Sequence, residues 1–241
     1  MTRRELPEFI RVPWGIKDAV LVVLLWLVLQ VVLAVALGVA GNYFPAVQQF
    51  LIESNNLAAT FSIYVLQVAL GLGLVALFAR KYKAGWSTLG WRKVSIARTL
   101  GYIAAILIIF IILAQLALTL VKYLVPGFNP DEAQNNDFTQ NAASNRSLAL
   151  IALVLLPPIF EETIFRGFIF PAFAKRTGVI WAAIISSVLF GFAHGQANIF
   201  VYTLVLGLLL CYLYVKTKSI IPGIIVHMLN NLLAFFALAQ K

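Results

Sequence analysis

The chain has 241 residues, 62% of them apolar and only 11% charged. A soluble domain is about half apolar and about a quarter charged, and disorder needs polarity, so both classes are excluded. The single cysteine, Cys211, excludes a disulfide framework and a multi-cysteine metal cluster, and what remains is an integral membrane protein.

Seven apolar runs follow in chain order: Ala19–Ala40, Leu57–Phe78, Thr99–Leu120, Leu148–Phe173, Val179–His194, Ile199–Val215 and Ile220–Ala239. None shows the period-2 alternation of a membrane strand, so the expected fold is all-α, a polytopic transmembrane bundle of about seven helices. The first run is too long for the core of a signal peptide, although Gly38-Val39-Ala40 resembles a cleavage site, and it reads as a retained helix. Residues Phe44–Asn56 read as a short loop. Trp86-Ser-Thr-Leu-Gly-Trp91-Arg92-Lys93 mixes aromatics with cations and reads as a segment lying along the cytoplasmic interface. Gly127–Arg146 is Asn-rich and reads as a flexible outer loop. The organisation expected is a cytoplasmic tail at 1–18, three N-terminal helices with the interfacial segment at 19–123, a polar outer loop at 124–147 and a helical core at 148–241.

The net charge of +9 comes from 18 Lys and Arg that lie between the apolar runs. Alternate connections carry 14 of them on one side, 3 fall on the other, and Arg166 stays inside a span. This asymmetry reads as topology and lipid headgroup contact, not nucleic-acid binding. It places the N-terminus in the cytoplasm and the C-terminus outside. The expected location is a bacterial or archaeal plasma membrane.

Ionisable groups within a span are expensive and mark function. The first three runs hold only Gln30, Gln67 and Gln115, which read as interhelical hydrogen-bonding groups. The later runs hold Glu161, Glu162 and Arg166, and both histidines of the chain, His194 and His227. Glu162 and Arg166 are four apart and share a helix face, so they can pair. Glu161 points about 100° away, without that partner, and reads as the candidate general base. Pro157 and Pro158 just upstream are expected to kink the helix and open a polar cavity. Depth arithmetic sets Glu161 ~20 Å from the outer face and His227 ~10 Å from the cytoplasmic face, which is one level in a core ~30 Å thick. His194 lies further outward on the same arithmetic, unless its helix is tilted or the Gly195 turn is re-entrant.

Three motifs carry a resemblance. Glu161-Glu162-x-x-x-Arg166, Phe190-x-x-x-His194 and His227-x-x-x-Asn231 resemble, in that order, the motifs of the CPBP intramembrane proteases. That family includes the type II CAAX prenyl endopeptidases and the Abi proteins linked with bacteriocin immunity. The resemblance covers about Leu148–Ala239. It implies hydrolysis of a peptide bond in a membrane-associated, CAAX-type or other, protein or peptide. It further implies that Glu161, helped by His194, activates water, that His227 and Asn231 donate to the oxyanion, and that Glu162 and Arg166 form a supporting pair. Phe190 is expected to pack and Asn198 is a weaker candidate for the same pocket. No cofactor is expected; the alternative is a zinc ion held by Glu161, His194 and His227. Two other functions fit buried charges: a proton-coupled transporter, and a non-catalytic membrane immunity protein. The partners expected are membrane lipids and the peptide substrate; composition says nothing of oligomeric state.

Overall fold

The computed structural model describes residues 7–52, 57–132 and 146–238. Most of the expected Asn-rich outer loop, at 133–145, and the chain ends at 1–6 and 239–241 lie outside the described residues. The described residues are helical, without a strand: α1 (Ile16–Tyr43), α2 (Pro45–Ile52), α3 (Leu57–Lys81), α4 (Ile96–Leu124), α5 (Arg146–Phe192), α6 (Ala197–Thr217) and α7 (Ile221–Leu238). Five of these are long and apolar enough to cross a membrane, and α7 is a shorter apolar helix. The protein is an integral membrane protein.

Helix α5 runs for 47 residues, which at 1.5 Å per residue is about 70 Å, or twice a hydrocarbon core. It breaks at Gly178, whose φ of 81° and ψ of 169° no helix contains. The two limbs correspond to the fourth and fifth apolar runs, so the seven runs survive as seven apolar segments. The Phe44–Asn56 stretch is not only a loop. Pro45 opens a short helix, α2, since proline is tolerated where no backbone donor is needed.

Three sets of contacts between distant parts of the chain agree with the alternation of sides. Asp18, at the start of α1, accepts from Tyr82 OH at 2.8 Å and from Lys81 Nζ at 3.4 Å, at the end of α3. Ser219 Oγ donates to Arg92 O at 2.7 Å, and Ile220 N donates to Gly90 O at 2.9 Å. At the opposite end Asn198 Nδ2 donates to Glu132 O at 2.8 Å.

Helix α1 is apolar all round and buries only Ala19, Val22 and Gly41, so most of its surface meets lipid. The interior is built mainly from α5, α6 and α7, with Phe168, Phe170, Phe190, Leu206 and Leu210 fully buried. Two segments expected at the surface are drawn into this interior. The 7–15 part of the tail packs Ile10, Val12 and Trp14 inside. Trp14 stacks on Phe168 with ring centroids 4.8 Å apart and donates to Phe168 O, while Lys175 Nζ caps Val12 O and Trp14 O. The Trp86–Lys93 segment likewise tucks under α5 and does not lie flat. Leu89 is buried, Trp91 Nε1 donates to Thr163 Oγ1 at 3.2 Å, and a side chain at Gly167 would collide with the Leu89 carbonyl. Gly90 makes the turn at φ 88°, which disfavours any residue with a Cβ.

Candidate active site

The chemistry-bearing part of α5 is its irregular first limb. Two π-helical turns, Ile151–Leu155 and Thr163–Ile169, flank an α-helical stretch, Leu156–Glu162. π turns cost regular hydrogen bonding and recur at functional sites. The prolines explain the first one. Leu153 O would take its backbone bond from the residue four or five further on, and these are Pro157 and Pro158, neither of which has an N–H. A side chain replaces the missing donor: Asn231 Nδ2 of α7 donates to Leu153 O at 3.0 Å.

The charges lie about two to four turns further along α5, and on α7 one turn before Asn231. Arg166 Nη1 donates to Glu162 Oε1 at 2.8 Å, and both side chains are buried, at 0% and 1% exposure. His227 Nδ1 lies 3.2 Å from the same Oε1, so it is the proton-bearing nitrogen, because a carboxylate oxygen only accepts. His227 Nε2 faces the other carboxylate, 3.6 Å from Glu161 Oε2. The imidazole therefore bridges the two glutamates. Glu162 is held by two partners, whereas Glu161 is 19% exposed and its Oε2 has no hydrogen-bond partner among the described residues. Gly223 of α7 leaves the space Glu162 needs: a Cβ there would lie 3.2 Å from Glu162 Oε2.

Phe190 is more than packing. Its face carries the Arg166 guanidinium at 4.4 Å, and the His194 and His227 rings meet it at centroid distances of 4.9 and 5.6 Å. The negative ring face suits the cation. His194 thus joins the cluster through Phe190, the ring that His227 also meets. Its Nδ1 bonds to Phe190 O at 2.8 Å, which fixes the proton there and leaves Nε2 as the basic nitrogen of the neutral ring.

Of the residues singled out in the sequence, Glu161, Glu162, Arg166 and His227 come into direct contact, His194 stands one ring away, and Asn231 is engaged with Leu153 and with Asn230 Nδ2. Asn198 is not in this cluster; it closes the outer loop. Asn230, unremarked in the sequence, is buried and accepts from Tyr202 OH. Among the described residues no three His, Cys, Asp or Glu side chains converge to hold a metal ion.

Residues 143–233 match the family model described as Type II CAAX prenyl endopeptidase Rce1-like. The chain is 32% identical over 111 residues to the Bacillus subtilis protein named "Putative membrane peptidase YdiL", covering 46% of this chain and 45% of that one. It is 28% identical over 166 residues to "Uncharacterized protein YyaK" of the same organism, covering 64% of this chain and 50% of that one. The chain spans about half the length of the curated relatives it matches. No solved structure matches it significantly. The matched segment holds all three motifs and every residue of the buried cluster.

Proposed function

We propose that the protein is an intramembrane endopeptidase that hydrolyses a peptide bond of a membrane-associated protein or peptide. The observation that carries this reading is the unequal treatment of two adjacent carboxylates: Glu162 is locked between Arg166 and His227, while Glu161 is 19% exposed and its Oε2 has no hydrogen-bond partner among the described residues. A general base needs an oxygen within reach of water and held in place by its neighbours.

In this reading Glu161 Oε2 takes a proton from water as the water oxygen bonds to the scissile carbonyl carbon. The carbonyl π pair moves onto oxygen. His227, whose Nε2 faces the same spot, donates to that oxyanion. Collapse re-forms the carbonyl and breaks the C–N bond, and Glu161 returns its proton to the departing amine. Arg166 supplies one positive charge for two carboxylates, and His227 is the group placed to supply the second. His194, whose Nδ1 is engaged by the Phe190 carbonyl, helps Glu161 to orient the attacking water through Nε2. Asn231 positions α7 against Leu153 in this scheme. No step is routed through a metal ion.

The test is cleavage of a membrane-tethered peptide, with and without a prenyl group, by purified protein. Wild type is compared with Glu161→Ala, His194→Ala and His227→Ala, each with and without 1,10-phenanthroline. Turnover by wild type alone, retained in the chelator, supports the reading. Equal turnover in all four proteins refutes it, and transport of solute without cleavage replaces it with the proton-coupled carrier.

A further inference from the structure

Two buried hydrogen-bond donors on α1 have no partner among the described residues: Trp26 Nε1 and Gln30 Nε2. They are four residues apart and share one face of the helix. That face looks at the candidate site. The Trp26 ring packs on Phe160, the neighbour of Glu161, with centroids 5.6 Å apart. Opposite, α3 has Gly71 where the two rings meet; a Cβ there would collide with Phe160 and lie 2.9 Å from Trp26 Nε1. Two turns along the same face of α3, Tyr64 interacts electrostatically with Glu161.

The donors lie 10 and 14 residues past Ile16, so about 15 and 21 Å into the bilayer from the start of α1. Acyl chains offer no acceptor at that depth, and lipid ester carbonyls lie far from it. An indole N–H only donates, so its partner must bring an oxygen. Donors four residues apart on a helix are offset by about 6 Å along its axis. In an extended chain the carbonyls on one edge recur every second residue, about 6.6 Å apart.

We infer that the α1–α3 wall beside Glu161 is a substrate subsite, in which Trp26 Nε1 and Gln30 Nε2 donate to alternate carbonyls of an extended peptide. This inference rests on the endopeptidase reading and names how its substrate is held. Both donors are covered in the present arrangement, so the strand enters by α1 leaning away from α3. The middle of α1 is suited to this movement: its buried residues are Ala19 and Val22 near one end and Gly41 near the other. Glycine at position 71 keeps the junction of Trp26 and Phe160 narrow enough to close when the site is empty.

The experiment uses the full chain in proteoliposomes and two membrane-tethered reporters, one with several residues flanking the scissile bond and one trimmed to a single residue on each side. Wild type is compared with Gln30→Leu and Trp26→Phe. With the long reporter each variant is expected to raise KM roughly 3–10-fold with kcat unchanged, the usual effect of one lost hydrogen bond. With the trimmed reporter the variants are expected to match wild type. Gln30→Leu is expected to melt no lower than wild type, because it removes an unsatisfied donor; a purely structural role for Gln30 predicts a lower Tm. Wild-type KM in both variants on the long reporter, with wild-type cleavage intact, overturns this inference alone. Absence of cleavage by wild type on either reporter overturns the endopeptidase reading and this subsite with it.

Discussion

Arg166→Met is the substitution that tests the architecture of the site most directly. Arg166 is wholly buried, and its ion pair with Glu162 spans 2.8 Å. Removing one member of a buried pair leaves a carboxylate without its counter-charge, at a cost of about 3–5 kcal/mol. His227 Nδ1 remains 3.2 Å from the same oxygen, which argues for the lower end of that range. The guanidinium also leaves the face of Phe190, a contact worth up to about 2 kcal/mol when desolvated. In a chain of this size each kcal/mol moves Tm by roughly 2–4 °C, so the expected fall is roughly 6–20 °C. The informative comparison is the double variant Glu162→Gln/Arg166→Met. There the orphaned charge is gone, and a neutral amide oxygen can still accept from His227. The double variant is therefore expected to be more stable than Arg166→Met alone, with a coupling on the order of 1–3 kcal/mol. Thermal unfolding in detergent micelles, followed by tryptophan fluorescence, measures all three variants. A double variant whose loss equals or exceeds the sum of the two single losses would refute the claim that Glu162 and Arg166 stand or fall as a pair.

The remaining predictions concern the other side chains of the cluster. Glu161→Gln is expected to lower kcat by roughly 10²–10⁴-fold, the usual contribution of a general base, while Tm holds or rises because its Oε2 has no hydrogen bond to lose. Parallel rate and melting measurements decide this, and a large drop in Tm would mean that Glu161 is structural. Gly223→Ala brings a Cβ to 3.2 Å from Glu162 Oε2 and 3.6 Å from Leu210 Cδ2. A loss of about 1–3 kcal/mol from overpacking is expected to outweigh the gain of up to about 1 kcal/mol that alanine brings to a helix, so a higher Tm would contradict the geometry. Asn231→Leu leaves the Leu153 carbonyl unpaired and is expected to cost about 1–3 kcal/mol. Restoring a backbone donor with Pro157→Ala/Pro158→Ala should recover part of that loss in the same unfolding assay, and no recovery would mean that Asn231 acts elsewhere.

What could be read from the sequence and what could not have separate physical causes. The seven apolar segments were legible because a bilayer demands about 20 apolar residues per crossing, and that demand is local. The level shared by Glu161 and His227 was legible for the same reason: rise per residue converts position into depth, and the two groups do lie 3.6 Å apart. The short helix α2 was missed because its two glutamines, Gln48 and Gln49, break up an eight-residue apolar pattern. The burial of Leu89 was missed because it depends on Gly167, far along the chain, having no side chain to exclude a carbonyl. Aromatic and cationic composition alone favoured the membrane surface. Nor could spacing tell which histidine meets the carboxylates. His194 closes one motif and His227 opens another, and only the fold shows that His227 reaches both glutamates while His194 is held by Phe190.

The unpartnered atoms of the site make sense when considered together. Among the described residues, the buried nitrogen and oxygen atoms without a hydrogen-bond partner include Trp26 Nε1 and Gln30 Nε2 on α1, and Glu161 Oε2 on α5, 3.6 Å from His227 Nε2 of α7. A buried polar group without a partner costs about 1–3 kcal/mol, so these three are a standing cost of folding. The wall that α1 forms is the least tightly packed part of the bundle, since α1 buries so little of itself. Opposite it, Glu162 is fixed by Arg166 of α5 and His227 of α7. Unmet capacity also sits within that half of the bundle, at Arg166 Nε and Nη2, Ser187 Oγ and Tyr214 Oη, but the two unmet donors of α1 belong to the half that can move. A peptide entering between them would satisfy the donors of α1 and present its carbonyl carbon to the oxygen of Glu161 in a single event. On this view the first three helices, which the family match at 143–233 does not reach, decide what the site cleaves, and α5 and α7 decide how.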